Sequence, residues 1–169
     1  MKRRPYLPLP PGDGRGEGRP PTLTLPSPGG RGFLAGLMPH AGRMMLLDEL
    51  LHWDESSVTC AARSHLDPAH PLRARSRLAA VCGVEYGLQA AALHGALCSG
   101  GVPQPAGYAA TLRAVTLEVD RLDDPSFGEL IIHARVEAKE QFGMVYAFTV
   151  GTDAGAPLVS GRASIALPR

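Results

Sequence analysis

Between Arg77 and Arg113 the chain carries one Asp, Glu, Lys or Arg, and it is Glu85. The residue falls in VCGVEYGLQAAALHG, residues 81–95, a run of Ala, Leu, Gly and Val with the composition of a buried helix. An isolated buried carboxylate is costly, so it must be paired, neutralised by a raised pKa, or put to use. Gln89 lies one turn further on the same face, placed to hold Glu85 or a ligand by hydrogen bonds. The competing structural reading is a buried ion pair between Glu85 and an arginine of RARSR, residues 73–77.

Proton transfer beside a carboxyl group calls for a second titratable group, and histidine titrates in the useful range. Six histidines compete: His40, His52, His65, His70, His94 and His133. His133 alternates onto the wet face of a strand, and His52 and His94 have no supporting motif, so these three read as surface or structural residues. HLDPAH, with His65, Asp67 and His70, resembles a fragment of a metal site, but nothing else completes a ligand set, and no metal is expected. No G-x-S-x-G element is present, and the glycines of GDGRGEG follow no strand, so they form no phosphate-binding loop.

The elements that must position these groups follow from pattern. A chain of 169 residues suits one domain. Residues 1–33 read as a disordered tail: fifteen are Gly or Pro, and no apolar signal-peptide core is present. LPPGDGRG and LPSPGGRG resemble translated repetitive DNA, which sets a natural start near Met38 against a genuine flexible tail. The tail holds six Lys/Arg and two Asp/Glu, a charge of +4, so the remainder carries −3. That balance disfavours nucleic acid as a partner. Cys60, Cys82 and Cys98 lack zinc or redox spacing and are odd in number, which fits a reducing cytoplasm. No apolar run approaches the roughly 20 residues that span a bilayer.

Residues 34–169 form the expected domain. MMLLDELL is a short helix or first strand, SSVTCAARSHL is a strand, and DPAHPLRARSR is a loop. A helix is expected from about Leu78 to Cys98, capped by Ser76 and ended by Ser99-Gly100-Gly101 with Pro103. Gly83, Gly87, Ala91 and Gly95 make a small-residue stripe along it, a pattern suited to a tightly wrapped sheet. Strands follow: TLRAVTLEVDRL, with Val115, Leu117 and Val119 alternating; ELIIHARVEAKE, with Leu130, Ile132, Ala134, Val136 and Ala138 on one face; then FGMVYAFTV and PLVSGRASIAL. Short loops join them as antiparallel hairpins, so the class is α+β.

Two stretches carry a resemblance. MPHAGRMMLLDELL resembles the PH-x-x-x-M-x-LLD opening of hot-dog 3-hydroxyacyl-ACP dehydratases, and GVEYGLQAAALHG resembles the G-[VI]-E-Y-x-x-Q-x-x-A helix of the same group. The ApeP-like branch, associated with aryl polyene lipid synthesis, is the most similar, over roughly residues 37–168. The resemblance implies a hot-dog fold, an antiparallel sheet wrapped around one long central helix. It implies a homodimer or heterodimer with the active site at the interface, and Glu85 pointing into a tunnel there. It implies dehydration of a 3-hydroxyacyl thioester carried on the phosphopantetheine of an acyl carrier protein, with no other cofactor, in fatty-acid, aryl-polyene or polyketide-like synthesis. The stretch AHPLRARSRLAAVCGVE departs from the GHFP…PGV…E signature of the FabZ type, so the motif does not assign the histidine.

On this reading Glu85, with a raised pKa, is the acid or grips the leaving hydroxyl, and backbone N–H groups at the helix start receive the thioester oxygen. His70 is favoured as base by a spacing to Glu85 close to that of the FabZ-type pair, and His40 by the better preserved motif; the balance leans to His40. Gln89 and Gly83 are the substrate-binding residues. Arg73, Arg75 and Arg77 are either the basic mouth that attracts acidic carrier protein or a solvated loop. The alternatives are a hot-dog thioesterase, in which a carboxylate activates water, and a weakly active partner subunit of another hot-dog dehydratase.

Overall fold

The computed structural model describes residues 30–101, 108–140 and 143–166. Most of the expected tail, residues 1–29, therefore lies outside the described residues, as do Pro103 and Leu167. Arg31–Phe33 do not: they open a short helix α1, Arg31–Ala35, that places fully buried Leu34 in the core.

Six antiparallel strands form one sheet: β1 (Glu49–Trp53), β2 (Ser57–Ala62), β3 (Tyr108–Leu117), β4 (Leu130–Glu140), β5 (Gly143–Thr152) and β6 (Pro157–Ala166). Their order in space is β1-β2-β4-β5-β6-β3. MMLLDELL thus resolves into a 3-10 turn at Gly42–Met44 and the start of β1. Asp54 makes the first hairpin by accepting the N–H groups of Ser56 and Ser57, at 2.7 and 2.9 Å. In β4 the period of two holds as far as Val136: Leu130, Ile132 and Ala134 are buried and Val136 half-buried, while Arg135, Glu137 and Lys139 face water; a register shift between Val136 and Ala138 then leaves Ala138 exposed.

The long helix α2, Gly83–Cys98, packs across β2, β4, β5 and β6, preceded by a 3-10 turn at Ala80–Cys82. Nearly all of its faces are covered, which is why its sequence is apolar all round. This is the hot-dog architecture. Ser76 does not cap α2. It sits with Arg75 in a tight turn in which both residues have positive φ, 58° and 52°, closed by reciprocal Ala74–Arg77 backbone hydrogen bonds of 2.9 and 3.0 Å. The expected stop holds at Gly100 and Gly101, whose left-handed backbones let the Gly101 N–H reach Ala96 O at 3.0 Å.

The small-residue stripe divides in two. A Cβ at Gly87 would lie 2.4 Å from the Phe148 ring, and one at Gly83 would lie 2.8 Å from Val159. Both glycines let the helix approach the sheet. Gly95 has nothing within 4 Å of that position and needs no such explanation.

Strand β3 keeps the expected alternation at a place the chain leaves bare. Val115 and Leu117 lie on the helix-facing side of the sheet, Leu117 paired with Val159 and Val115 beside Gly161, but the described residues do not cover them. With Leu112 they are exposed, at 38, 45 and 47 %, on a strand at the sheet edge, while Val119 is half-buried.

Candidate active site

The site forms where the segment entering β1 crosses the first turns of α2. Glu85 projects from the first turn, and the chain at Pro39–His40 brings the imidazole to it: His40 Nε2 lies 3.4 Å from Glu85 Oε1. Each side chain is 28 % exposed, so the pair is sheltered yet reachable. The other ring nitrogen, Nδ1, is buried with no hydrogen-bond partner among the described residues. Glu85 is therefore the group that orients the ring.

Gln89 fixes this arrangement. Its Nε2 donates to Glu85 Oε1 at 3.0 Å and to Met44 O at 2.7 Å, and its Oε1 accepts the Leu46 N–H at 2.9 Å. The side chain is fully buried and both ends are engaged by protein groups. Gln89 thus holds Glu85, as its place one turn further along the helix suggests, and clamps the His40-bearing segment onto α2. Gly83 likewise serves packing, against Val159 and Leu122.

The electrostatics of Glu85 reverse one expectation. Burial raises its pKa, but hydrogen bonds from His40 and Gln89, with the charge of His40, outweigh burial and leave the group below its ordinary value. In the uncovered site Glu85 is a carboxylate, not the acid with a raised pKa that a buried glutamate suggests.

His70 lies elsewhere. It is 4 % exposed, its Nε2 is 3.1 Å from Tyr86 Oη, and its Nδ1 accepts the Leu72 N–H at 3.1 Å. Burial, then the charge of Arg73, lowers its pKa and keeps it neutral. The structure brings Glu85 together with His40 and not with His70. His65 is fully buried with neither ring nitrogen hydrogen-bonded among the described residues, and burial pushes its pKa down to about 4. Asp67 Oδ1 accepts the Ala69 N–H at 2.8 Å. His65, Asp67 and His70 form no metal centre, and no other such cluster occurs among the described residues.

His94 is structural, 2.9 Å from Tyr146 Oη and 2.9 Å from Asp54 O. His133 pairs with Thr59 across β2 and β4 at 3.1 Å, and His52 is exposed beside Asp54. The helix start is less open to an oxyanion than expected, because the Cys82 and Gly83 N–H groups bond back to Ala79 O and Ala80 O.

The three arginines part company. Arg73 is only 17 % exposed and makes an ion pair with fully buried Asp123 (which Arg121 also binds, at 2.8 Å), while also donating to Asp67 O at 3.2 Å. It is a strut within the fold and is not free to receive a carrier protein. Arg77 is exposed and donates to Asp120 O at 2.9 Å, and Arg75 stands in water at the tip of the tight turn. None of the three pairs with Glu85.

Fold and site together define a hot-dog protein with a His–carboxylate pair beside its central helix. The family model described as ApeP-like, ApeP dehydratase, matches residues 33–169, and the chain belongs to that family. Among solved structures, the dehydratase heterocomplex ApeI:P from Xenorhabdus doucetiae aligns with a TM-score of 0.70 at 17 % identity, covering 80 % of this chain and 91 % of that one. AziG of S. sahachiroi aligns with a TM-score of 0.53 at 12 % identity, covering 71 % and 90 %. Zebrafish thioesterase superfamily member 2 aligns at 0.53 and 14 %, covering 80 % and 91 %. At these identities the likenesses show the fold. No curated protein sequence matches the chain.

Proposed function

We propose that this protein removes water from a 3-hydroxyacyl thioester on an acyl carrier protein, with His40 and Glu85 as the catalytic pair. The observation that carries the reading is the 3.4 Å approach of His40 Nε2 to Glu85, half-sheltered, in a chain of the ApeP-like dehydratase family.

The pair shares one proton. Uncovered, Glu85 is a carboxylate that accepts a hydrogen bond from His40 Nε2–H. An acyl chain that covers the pair expels water, and a drier site favours two neutral groups over an ion pair. The proton then passes to Glu85 and frees the Nε2 lone pair, while Nδ1 keeps its proton throughout. His40 takes the α-proton, and Glu85 gives its proton to the departing β-hydroxyl. Water leaves, the double bond forms, and the pair returns to its first state with no net proton taken up.

The site is proposed to be completed by a second hot-dog chain. Leu112, Val115 and Leu117 on the edge strand, with Val81 at 55 % exposure just before Glu85, give that chain an apolar seat adjoining the site. Of the three expected carrier contacts, Arg75 and Arg77 remain available to an acidic carrier. No helix among the described residues is long and apolar enough to cross a membrane, and Cys60, Cys82 and Cys98 are free thiols, as suits a reducing cytoplasm.

The test is product identity. The protein, alone and with a partner hot-dog dehydratase, is mixed with 3-hydroxyacyl and saturated acyl carrier proteins, and the products are weighed. Loss of one water supports the proposal. Release of free acid makes the protein a thioesterase. Activity only with the partner, undiminished by Glu85→Gln, makes this chain a supporting subunit.

A further inference from the structure

We infer that His70, Tyr86 and Ser64 form a one-way chain of hydrogen bonds that positions the His40 segment, so that His70 is a positioning residue and not a base. The inference rests on the proposed role of His40.

The direction of each bond follows from its two ends. Leu46 O can only accept, so Ser64 Oγ donates to it, at 2.7 Å. Ser64 has then spent its single proton, so Tyr86 Oη donates to Ser64, at 2.8 Å. Tyr86 has spent its own, so His70 Nε2–H donates to Tyr86, at 3.1 Å. The Leu72 N–H, which can only donate, meets His70 Nδ1 at 3.1 Å. One tautomer satisfies all four contacts: a neutral His70 with its proton on Nε2. It has no free lone pair to offer a substrate.

The far end of the chain is the peptide of Leu46. Its carbonyl is held by Ser64, and its N–H is held by Gln89, which also holds Met44 O and Glu85. His40 is joined to this clamp through the 3-10 turn Gly42–Met44. Glu85 and His40 come from separate parts of the chain, so their 3.4 Å approach depends on where residues 44–46 are pinned. Tyr86 is fully buried, and its hydroxyl would be an odd expense in a core unless its bonds were made.

The test compares His70→Gln with His70→Ala and adds Tyr86→Phe. Glutamine cannot serve as a base, but its amide can donate to Tyr86 as Nε2 does. A positional shift of this kind should lower kcat by about 10- to 100-fold in His70→Ala and Tyr86→Phe with KM little changed. His70→Gln should restore most of the loss. Hydrogen exchange in the peptide covering residues 40–47 should quicken in His70→Ala and Tyr86→Phe and recover in His70→Gln. That readout needs no substrate, so it stands even if the dehydratase reading fails. Nitrogen NMR of wild type should show His70 as the Nε2–H tautomer. Abolition of activity in His70→Gln, unchanged exchange at 40–47 in Tyr86→Phe, or the Nδ1–H tautomer would each overturn the inference.

Discussion

His40 and His70 are the two histidines that sequence puts forward with Glu85, and they live in opposite surroundings. His40 is partly open, has one buried nitrogen with no partner among the described residues, and meets a carboxylate. His70 is closed in, with both nitrogens engaged and a tyrosine ring stacked at 6.1 Å between centroids. The ring chemistry is the same in both. What differs is whether the fold has already used the lone pair. A histidine with both nitrogens engaged by fixed groups of the fold is architecture, and one whose Nε2 meets a carboxylate in a half-sheltered, reachable place is free to react.

The largest effect should come from breaking the open side. His40→Ala should cost about 100- to 10,000-fold in kcat, and Glu85→Gln at least about 100-fold, with the melting temperature of each near that of wild type. Glu85→Gln keeps the shape and the hydrogen bond to Gln89 but carries no transferable proton. Steady-state dehydration assays beside thermal melts decide the matter. A stability loss of several kcal/mol with chemistry little changed would make Glu85 a structural ion and erase the contrast with His70.

The contrast repeats in the arginines beside His70. Arg73 is held by buried Asp123, and Arg75 is in water. Arg73→Ala should destabilise by about 1–3 kcal/mol, because a buried carboxylate loses one of two charged partners. Arg75→Ala should stay within about 0.5 kcal/mol of wild type while raising the apparent KM for a carrier-bound substrate at low salt. Denaturant titration and carrier-dependent kinetics separate the two effects.

The same cluster sets an acid limit. Hydrogen bonds from Arg121, above all, hold the Asp123 carboxyl down at about 2 against the cost of burial, and Arg73 adds to the effect. A carboxylate whose pKa is lowered on folding stabilises fully above its unfolded value, near 3.8, and loses that contribution as pH falls through the folded value. The stability gap between wild type and Asp123→Asn should therefore be widest above about pH 4 and close towards about pH 2, read as melting temperature against pH.

These contrasts mark how far sequence alone reaches. Glu85 was legible because one charge in an apolar run must be explained, and the period of β4 fixed which of its faces is buried. His40 and His70 could not be separated, since ring orientation depends on Tyr86, Leu72 and Gln89, which approach from other parts of the chain. Arg73 and Arg75 look alike for the same reason: Asp123 lies 50 residues from Arg73. The alternation in β3 was real, but Val115 and Leu117, on the helix-facing side of the sheet, stay exposed at its edge. Ser76 failed as a cap because the turn at 74–77 forces its backbone into the left-handed region.

The smallest effect sharpens the comparison with the plainest side chain. Gly87 and Gly95 lie on one stripe of α2, two turns apart, and sequence gives them the same role. Their surroundings do not. An added methyl at Gly87 would meet Phe148 Cδ2, Cγ and Cβ at 2.4, 2.5 and 3.0 Å. The last of these atoms is bonded to the β5 backbone, so a rotation of the ring cannot relieve the contact, and helix and sheet must move apart. Overpacking of this kind costs about 1–3 kcal/mol. At Gly95 the methyl would meet nothing within 4 Å. There the helical preference of alanine acts unopposed and should stabilise by up to about 1 kcal/mol. Gly87→Ala and Gly95→Ala should thus shift the denaturation midpoint in opposite directions at equal slope. Equal losses in both would mean that the whole stripe is packed against another backbone, as an undivided small-residue pattern implies, and that Gly95 is covered in solution by a second chain.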